Sequence, residues 1–343
     1  MAHGSRDKLI AFARKIPKAE LHLHLEGAIP LDTLFGLIRR AGTEPGIRNV
    51  DDLRAALTYP NFQGFLNAWV WKNGFVAEED DFRTMAYEVL RDLAADNVRH
   101  VEMHYSPGDF ADRGFTTAGV TEAVIEGLAR GERDFGVTWG LIVDLFWSAG
   151  EEAAARRVEE AAPYLGRGVV GVGMGGNEQY CPASTYVDVY REARRLGFRL
   201  TAHAGEALGP ESVRSALDEL QLERIGHGVR AVEDAALVDE LAGRGVPLEV
   251  CVVSNVMTGV YEAAAQHPVR ELFDRGVMVT VNSDDPTMFH SSPANEYAVL
   301  ARELGFTREE LKTLSLNGVA ASFLPEEEKA ALRARFEEEW AAI

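Results

Sequence analysis

Four short stretches of the chain carry the residue types that hold metals and move protons. His22 and His24 stand two apart in Glu20-Leu21-His22-Leu23-His24-Leu25-Glu26. His203 and Glu206 stand three apart in His203-Ala204-Gly205-Glu206. His227 lies between glycines in Arg224-Ile225-Gly226-His227-Gly228, and two acids are adjacent in Asn282-Ser283-Asp284-Asp285-Pro286. Side chains alternate along a strand, so His22 and His24 share one face and Leu21, Leu23 and Leu25 the other. Two imidazoles converging in a closed interior are costly unless they are hydrogen-bonded or bind a metal. Adjacent carboxylates repel unless a cation or a proton sits between them. Glycines beside His227 allow close backbone approach to a metal or ligand. Each motif alone has a plainer reading: paired core histidines, or a turn that caps the next helix. Together, His22, His24, His203 and Asp284 make an N/O donor set that suits one zinc ion per chain with room for a water. Zinc lowers the pKa of such a water toward ~7. Glu206 and His227 then stand beside it as acid–base groups.

Such residues need a scaffold that brings distant stretches to one face. Eight β-like runs recur: Glu20–Leu25, Val98–Tyr105, Val137–Phe146, Val169–Gly173, Phe198–Ala204, Arg224–His227, Pro247–Ser254 and Val277–Ser283. Between them lie stretches rich in Ala, Leu, Glu and Arg, with apolar residues at helical spacing. Alternation without a linker predicts an α/β fold, a single (β/α)8 TIM barrel over 1–343, in preference to an open doubly wound sheet. The chemical residues fall at or near the C-terminal strand ends, the face where barrel enzymes place their sites. Residues 27–97 contain no convincing strand but carry Tyr59, Phe62, Phe65, Trp69, Trp71 and Phe75. They read as a helical insertion over the active site, with extra helices at the C-terminus.

Composition narrows the function classes. Among 343 residues, 35 Lys+Arg against 54 Asp+Glu give a net charge of −19. That balance argues against a nucleic-acid backbone or an anionic membrane surface as partner. No apolar run approaches a membrane span, and the polar start from Met1 to Lys8 has no secretory core, so the chain reads as cytoplasmic. Cys181 and Cys251 are too few for a disulfide scaffold or a thiolate zinc cluster. Gly171-Val172-Gly173-Met174-Gly175-Gly176 satisfies a dinucleotide fingerprint, but three strands precede it and the fingerprint belongs to the first βα unit. A two-metal amidohydrolase acting on an ester, lactone or cyclic amide is the competing class. It commonly bridges its metals through a strand lysine or carboxylate. None of the six lysines (Lys8, Lys15, Lys18, Lys72, Lys312, Lys329) falls in a predicted strand. A purely structural zinc site would have no use for Glu206 and His227. His267, before Pro268, reads as a helix-end or loop residue, and His100 as a surface residue at a strand start.

These motifs, with Pro17-Lys18-Ala19 ahead of the first, resemble the adenosine deaminase family of the amidohydrolase superfamily in content and order. The resemblance runs from about Lys15 to the C-terminal helices. It implies a barrel holding one zinc through His22, His24, His203 and Asp284. It implies hydrolytic deamination of an aminopurine, adenosine or deoxyadenosine first, with adenine or 6-aminodeoxyfutalosine as the alternative. By the same resemblance Glu206 protonates the ring nitrogen beside the reacting carbon, and His227 positions or deprotonates the water. Asp284 joins the catalytic group, Asp285 holds the other ring nitrogen, and His24, Glu26 and Gly176 lie against the substrate. Departures cluster where relatives read the sugar: Glu26 replaces the usual Asp, His104 an Arg, and Gly173 and Asn177 two acids.

Overall fold

The computed structural model describes residues 3–42, 44–59 and 61–343; Met1 and Ala2, the start of the polar leader, lie outside the described residues. All strands pair in parallel. One sheet has the order β1 (Lys18–His24), β2 (Val98–Tyr105), β3 (Thr138–Asp144), β4 (Val169–Gly173) and β5 (Arg199–Leu200). The other has β6 (His203–Ala204), β7 (Ile225–His227), β8 (Leu248–Val250) and β9 (Val279–Val281).

The two sheets are arcs of one barrel. The fifth predicted strand, Phe198–Ala204, is split into β5 and β6. Backbone bonds from Thr201 to Val172 (3.1 Å), His203 to Met174 (2.9 Å) and Gly226 to Ala202 (2.8 Å) carry the sheet across the split. At the other seam Leu23 bridges Asp284, with His24 N–H donating to Asp284 O (3.0 Å) and Asp284 N–H to His22 O (2.9 Å). The ends of the strands that carry His24 and Asp284 therefore meet at the seam. A buried carboxylate fixes the joint: Glu20 accepts from the Ser283 backbone (3.1 Å) and hydroxyl (2.9 Å).

The alternation in β1 sorts its faces as the pleat requires. Leu21 packs outward with Val319, Leu332 and Phe336 of the C-terminal helices, and Leu23 and Leu25 join the main core. The strand begins two residues before the predicted Glu20, so Lys18 is in a strand after all. It sits at the N-terminal end, its Nζ donating to the carbonyls of Ile16 (2.7 Å) and Asp96 (2.9 Å), far from the strand ends that carry the histidines.

Residues 27–97 divide in two. After α1 (His3–Lys15), helices α2 (Leu31–Ala41), α3 (Val50–Ala56) and α4 (Phe62–Asn73) precede α5 (Glu79–Ala95). Helix α5 packs on the helix Thr117–Phe135 and on β2, as an ordinary barrel crossover does. Among the described residues of this insertion only α4, through Phe62, Phe65, Leu66, Trp69 and Val70, turns a face to the cavity above the strands. Asn61 and Glu78 start α4 and α5 as N-caps, Asn61 Oδ1 accepting from Gly64 N–H at 2.9 Å. Among the described residues no helix is long and apolar enough to cross a membrane.

Candidate active site

His22 and His24 end β1, His203 opens β6, His227 ends β7, and Asp284 follows β9. One ligand atom from each of His22, His24, His203 and Asp284 lies within 4.8 Å of all the others. His227 (φ 58°) and Asp284 (φ 60°) have left-handed backbones, uncommon for residues with a Cβ and characteristic of functional turns. Gly226 makes the approach possible: a Cβ there would lie 2.8 Å from His22 Cε1 and 3.2 Å from His203 Cα. Gly27 does the same for Asp285, since a Cβ would fall 1.7 Å from its Oδ1.

Hydrogen bonds fix how the imidazoles present themselves. His22 Nδ1 donates to Glu249 (2.8 Å), His24 Nδ1 to Asp144 (3.1 Å) and His203 Nδ1 to the Met174 carbonyl (2.9 Å). The carbonyl can only accept, and Asp144 and Glu249 are held ionised. Burial resists the charge of both, but the hydrogen-bonding imidazoles of His104 and His24 for one, and the Arg224 guanidinium with the His22 ring for the other, bring Asp144 well below its usual range and Glu249 to about 2. Each ring thus carries a proton on Nδ1 and turns Nε2 toward the others, His203 at 3.1 Å from His22 and 3.3 Å from His24. Burial resists a second proton, but the carboxylates around them hold His22 above the ordinary imidazole range and His24 at about 9, so Nε2 there takes a proton or a metal in its place. Three unprotonated Nε2 atoms at that separation repel unless a cation lies among them. With Asp284 Oδ1 at 3.6 Å from His22 and 3.4 Å from His24, the donors fit a metal of the zinc kind. The supports reach deep into the barrel. Arg224, buried over the Phe323 ring, bonds Glu249 (2.5 Å) and Glu102, and Glu249 in turn orients His22.

The two acid–base candidates, Glu206 and His227, flank this cluster. His227 Nε2 lies 3.7 Å from Glu206 Oε2 and 3.9 Å from Asp284 Oδ2. Burial pushes His227 down to about 3, so the ring is neutral. Burial, with Asp284 and Glu178 nearby, pushes Glu206 up to about 8. Burial and the adjacent Asp284 charge do the same for Asp285, whose Oδ1 has no partner, also to about 8. The loop that carries Glu206 is held by one side chain. The Glu178 carboxylate accepts from the backbone of Gly205 (2.9 Å), Glu206 (2.9 Å), Ala207 (2.5 Å) and Leu208 (2.7 Å).

His24, His203, Glu206, His227, Asp284, Asp285 and Gly176 all line one cavity of about 940 Å³. Its walls are largely apolar, with Phe65, Trp69, Phe115, Phe146 and Phe289. Glu26 is not among the lining residues. Its Oε1 accepts from Ser106 N–H (3.0 Å), and burial pushes the carboxyl up to about 7. His104 and Gly173 belong together: a Cβ at 173 would lie 2.6 Å from the His104 ring, which bonds Asp144 at 2.8 Å instead.

His100, read from sequence as a surface residue, is buried, and His267, at a helix end as read, is buried as well. His100 is 1% exposed, between Thr138 (2.9 Å) and Glu102 (3.4 Å). His267 is 3% exposed and reaches Asn255, the neighbour of His227. Sequence reading passed over Asn255, Glu249, Asp144, Ser254 and Glu178. Only the polar Ser254-Asn255 pair gave a signal: the run predicted as strand to Ser254 ends at Val250, and both residues lie on the short helix Val252–Met257 that follows, where Ser254 Oγ donates to Asp284 Oδ2 at 2.6 Å.

The family model described as adenosine deaminase matches residues 17–339. An adenine deaminase of Sphingopyxis alaskensis is 37% identical over 327 residues, 95% of this chain and 96% of that one. The crystal structure of an adenine deaminase from Arthrobacter aurescens superposes with a TM-score of 0.88 at 32% identity, over 96% of this chain and 100% of that one. A zinc-bound amidohydrolase structure from Burkholderia ambifaria superposes with a TM-score of 0.89 at 30% identity, over 100% of this chain and 94% of that one.

Proposed function

The chain belongs to the adenosine deaminase family and is a hydrolase that deaminates an aminopurine, and from that premise we propose that its substrate is adenine, converted to hypoxanthine and ammonia with one zinc per chain. The observation that carries the reading is the convergence of three Nε2 atoms and Asp284 beside a carboxyl, Glu206, that keeps its proton near neutral pH. His22, His24, His203 and Asp284 would hold the zinc. Its Lewis acidity makes water nucleophilic near pH 7.

The chain's own groups do the rest. Glu206, raised to about 8, carries a proton at pH 7 and gives it to the ring nitrogen beside the reacting carbon. That proton removes the negative charge that attack would otherwise place on the ring. Asp285, also raised to about 8, donates to the other ring nitrogen through the carboxyl that Gly27 leaves room for. His227, whose Nε2 lies 3.7 Å from Glu206, would meet the attacking water, and the aromatic wall of α4 and Phe289 would cover the base and exclude bulk solvent.

Two observations favour the free base over the adenosine or deoxyadenosine read first from the sequence. The Sphingopyxis and Arthrobacter relatives are named adenine deaminases. Glu26, at the position read as facing the sugar, turns its carboxylate to the Ser106 backbone and leaves the cavity wall. A nucleoside-sized substrate, 6-aminodeoxyfutalosine included, is the second reading. A cavity of about 940 Å³ lies at the upper end of the range that encloses drug-sized ligands and exceeds what a bare base fills. Ammonia release and the ultraviolet change are measured with adenine, adenosine, deoxyadenosine and 6-aminodeoxyfutalosine on zinc-loaded protein. Adenine should give the highest kcat/KM; turnover of none of the four would refute the deaminase reading.

A further inference from the structure

His22, His24 and His203 give their Nδ1 to an acceptor, which leaves Nε2 to bind a metal at the centre of the site; the surroundings of His227 are reversed. The difference is set by a chain of hydrogen bonds that starts from the backbone. Val269 N–H donates to His267 Nδ1 at 3.2 Å, and a backbone N–H has no other role to play. His267 Nδ1 therefore accepts, and the ring's proton is on Nε2. Burial pushes this imidazole down to about 3, so there is no second proton. Nε2–H lies 3.1 Å from Asn255 Oδ1, which accepts. The other end of the carboxamide, Nδ2, then donates to His227 Nδ1 at 3.1 Å. Turning the amide over would set its NH2 against the His267 N–H, two donors face to face with no water between them. Asn255, His267 and His227 are 0%, 3% and 1% exposed, so an unmatched donor pair would carry a full desolvation cost.

We propose that Asn255 and His267 are positioning residues that fix His227 in its Nε2–H tautomer, so that His227 orients the attacking water by donating a hydrogen bond and does not take its proton. Nε2 points between Glu206 and Asp284, 3.7 and 3.9 Å away, where the water must sit to reach a base in the cavity. A ring whose Nε2 already carries hydrogen has no lone pair there, so the water's proton goes to a carboxylate: Asp284, or Glu206 once it has given its own proton to the ring nitrogen. This chooses between the two roles, positioning or deprotonation, that the sequence leaves open for His227. The kinetic consequence rests on the deaminase reading; the tautomer does not.

The test is a two-bond 15N–1H imidazole spectrum of zinc-loaded protein labelled at histidine, with the His227 signals assigned by their loss in His227→Gln. The proposal expects the wild-type His227 proton on Nε2. In Asn255→Asp the carboxylate accepts from Nδ1 instead. The proton should then move to Nδ1, and kcat on adenine should fall by between tenfold and about 10⁴, the loss a wrong histidine tautomer causes in serine proteases. KM and zinc content should stay within about threefold of wild type. His267→Gln, which can donate to Asn255 and accept from Val269, should recover most of the kcat that His267→Ala loses. A wild-type spectrum with the proton on Nδ1 overturns the proposal. So does Asn255→Asp with the proton still on Nε2, or with the proton moved and kcat within twofold of wild type. The spectra decide the tautomer whether or not adenine is turned over, so failure of the substrate reading and failure of this one are distinct results.

Discussion

Replacing Glu206 with glutamine removes the proposed proton donor and, by the same physics, a source of instability. The carboxyl is raised from 4.5 to about 8 because burial and the neighbouring Asp284 and Glu178 disfavour its charge. A group with a raised folded pKa contributes stability that is fully present below its unfolded pKa and is lost as pH rises toward the folded one. Between 4.5 and pH 7 lie about two and a half pH units, each about 1.4 kcal/mol, so the loss accumulated at pH 7 is about 3 kcal/mol. A zinc ion beside the carboxylate reduces this by favouring the charge, so the figure is an upper value for the loaded protein. Glutamine fills nearly the same space without the charge. Urea unfolding of metal-free wild type and Glu206→Gln should therefore show no difference near pH 4.5 and a variant more stable by up to about 3 kcal/mol at pH 7. Over the same change, kcat of the zinc-loaded enzyme should fall by about 10²–10⁴, the range contributed by a positioned acid. For the wild type, the limb of kcat/KM governed by this acid should decline above about pH 8. A variant that keeps kcat within tenfold refutes the proton-donor role. A stability difference that does not grow with pH refutes burial as the cause of the raised pKa.

Three further outcomes follow from named contacts. His203→Ala should lose both bound metal, read by elemental analysis, and activity, because it removes the imidazole whose Nε2 faces both other rings. Gly27→Ala should lower kcat/KM by at least tenfold and reduce stability at unchanged zinc content, since its Cβ would overlap the Asp285 carboxyl at 1.7 Å. Glu178→Ala should destabilise by about 3 kcal/mol or more in urea unfolding and lower kcat while leaving metal affinity within a few-fold. It strips four backbone N–H groups of the loop that holds Glu206, but none of the metal-facing imidazoles.

Much of this protein is legible in residue types and spacing. The alternation Leu21-His22-Leu23-His24-Leu25 states which face is core and which carries chemistry, because the pleat has a period of two whatever surrounds it. Gly226 and Gly228 beside His227 mark backbone that must approach something closely. Eight runs with helical spacing between them define a barrel, because parallel strands require crossovers. The side-chain partners are a different matter. Asp144 behind His24, Glu249 behind His22, and Val269, His267 and Asn255 behind His227 meet their histidines only after the barrel closes. Their sequence separations, 28 residues from His227 to Asn255 and 227 from His22 to Glu249, carry no local signature. Closure also split the fifth strand at Thr201 and Ala202, drew Glu26 away from the cavity to the Ser106 backbone, and paired Gly173 with His104. Local periodicity thus determined which side chains enter the site. Only the tertiary structure decided where their protons sit, because a proton's place depends on whichever donor or acceptor the folded chain sets against the far side of each ring.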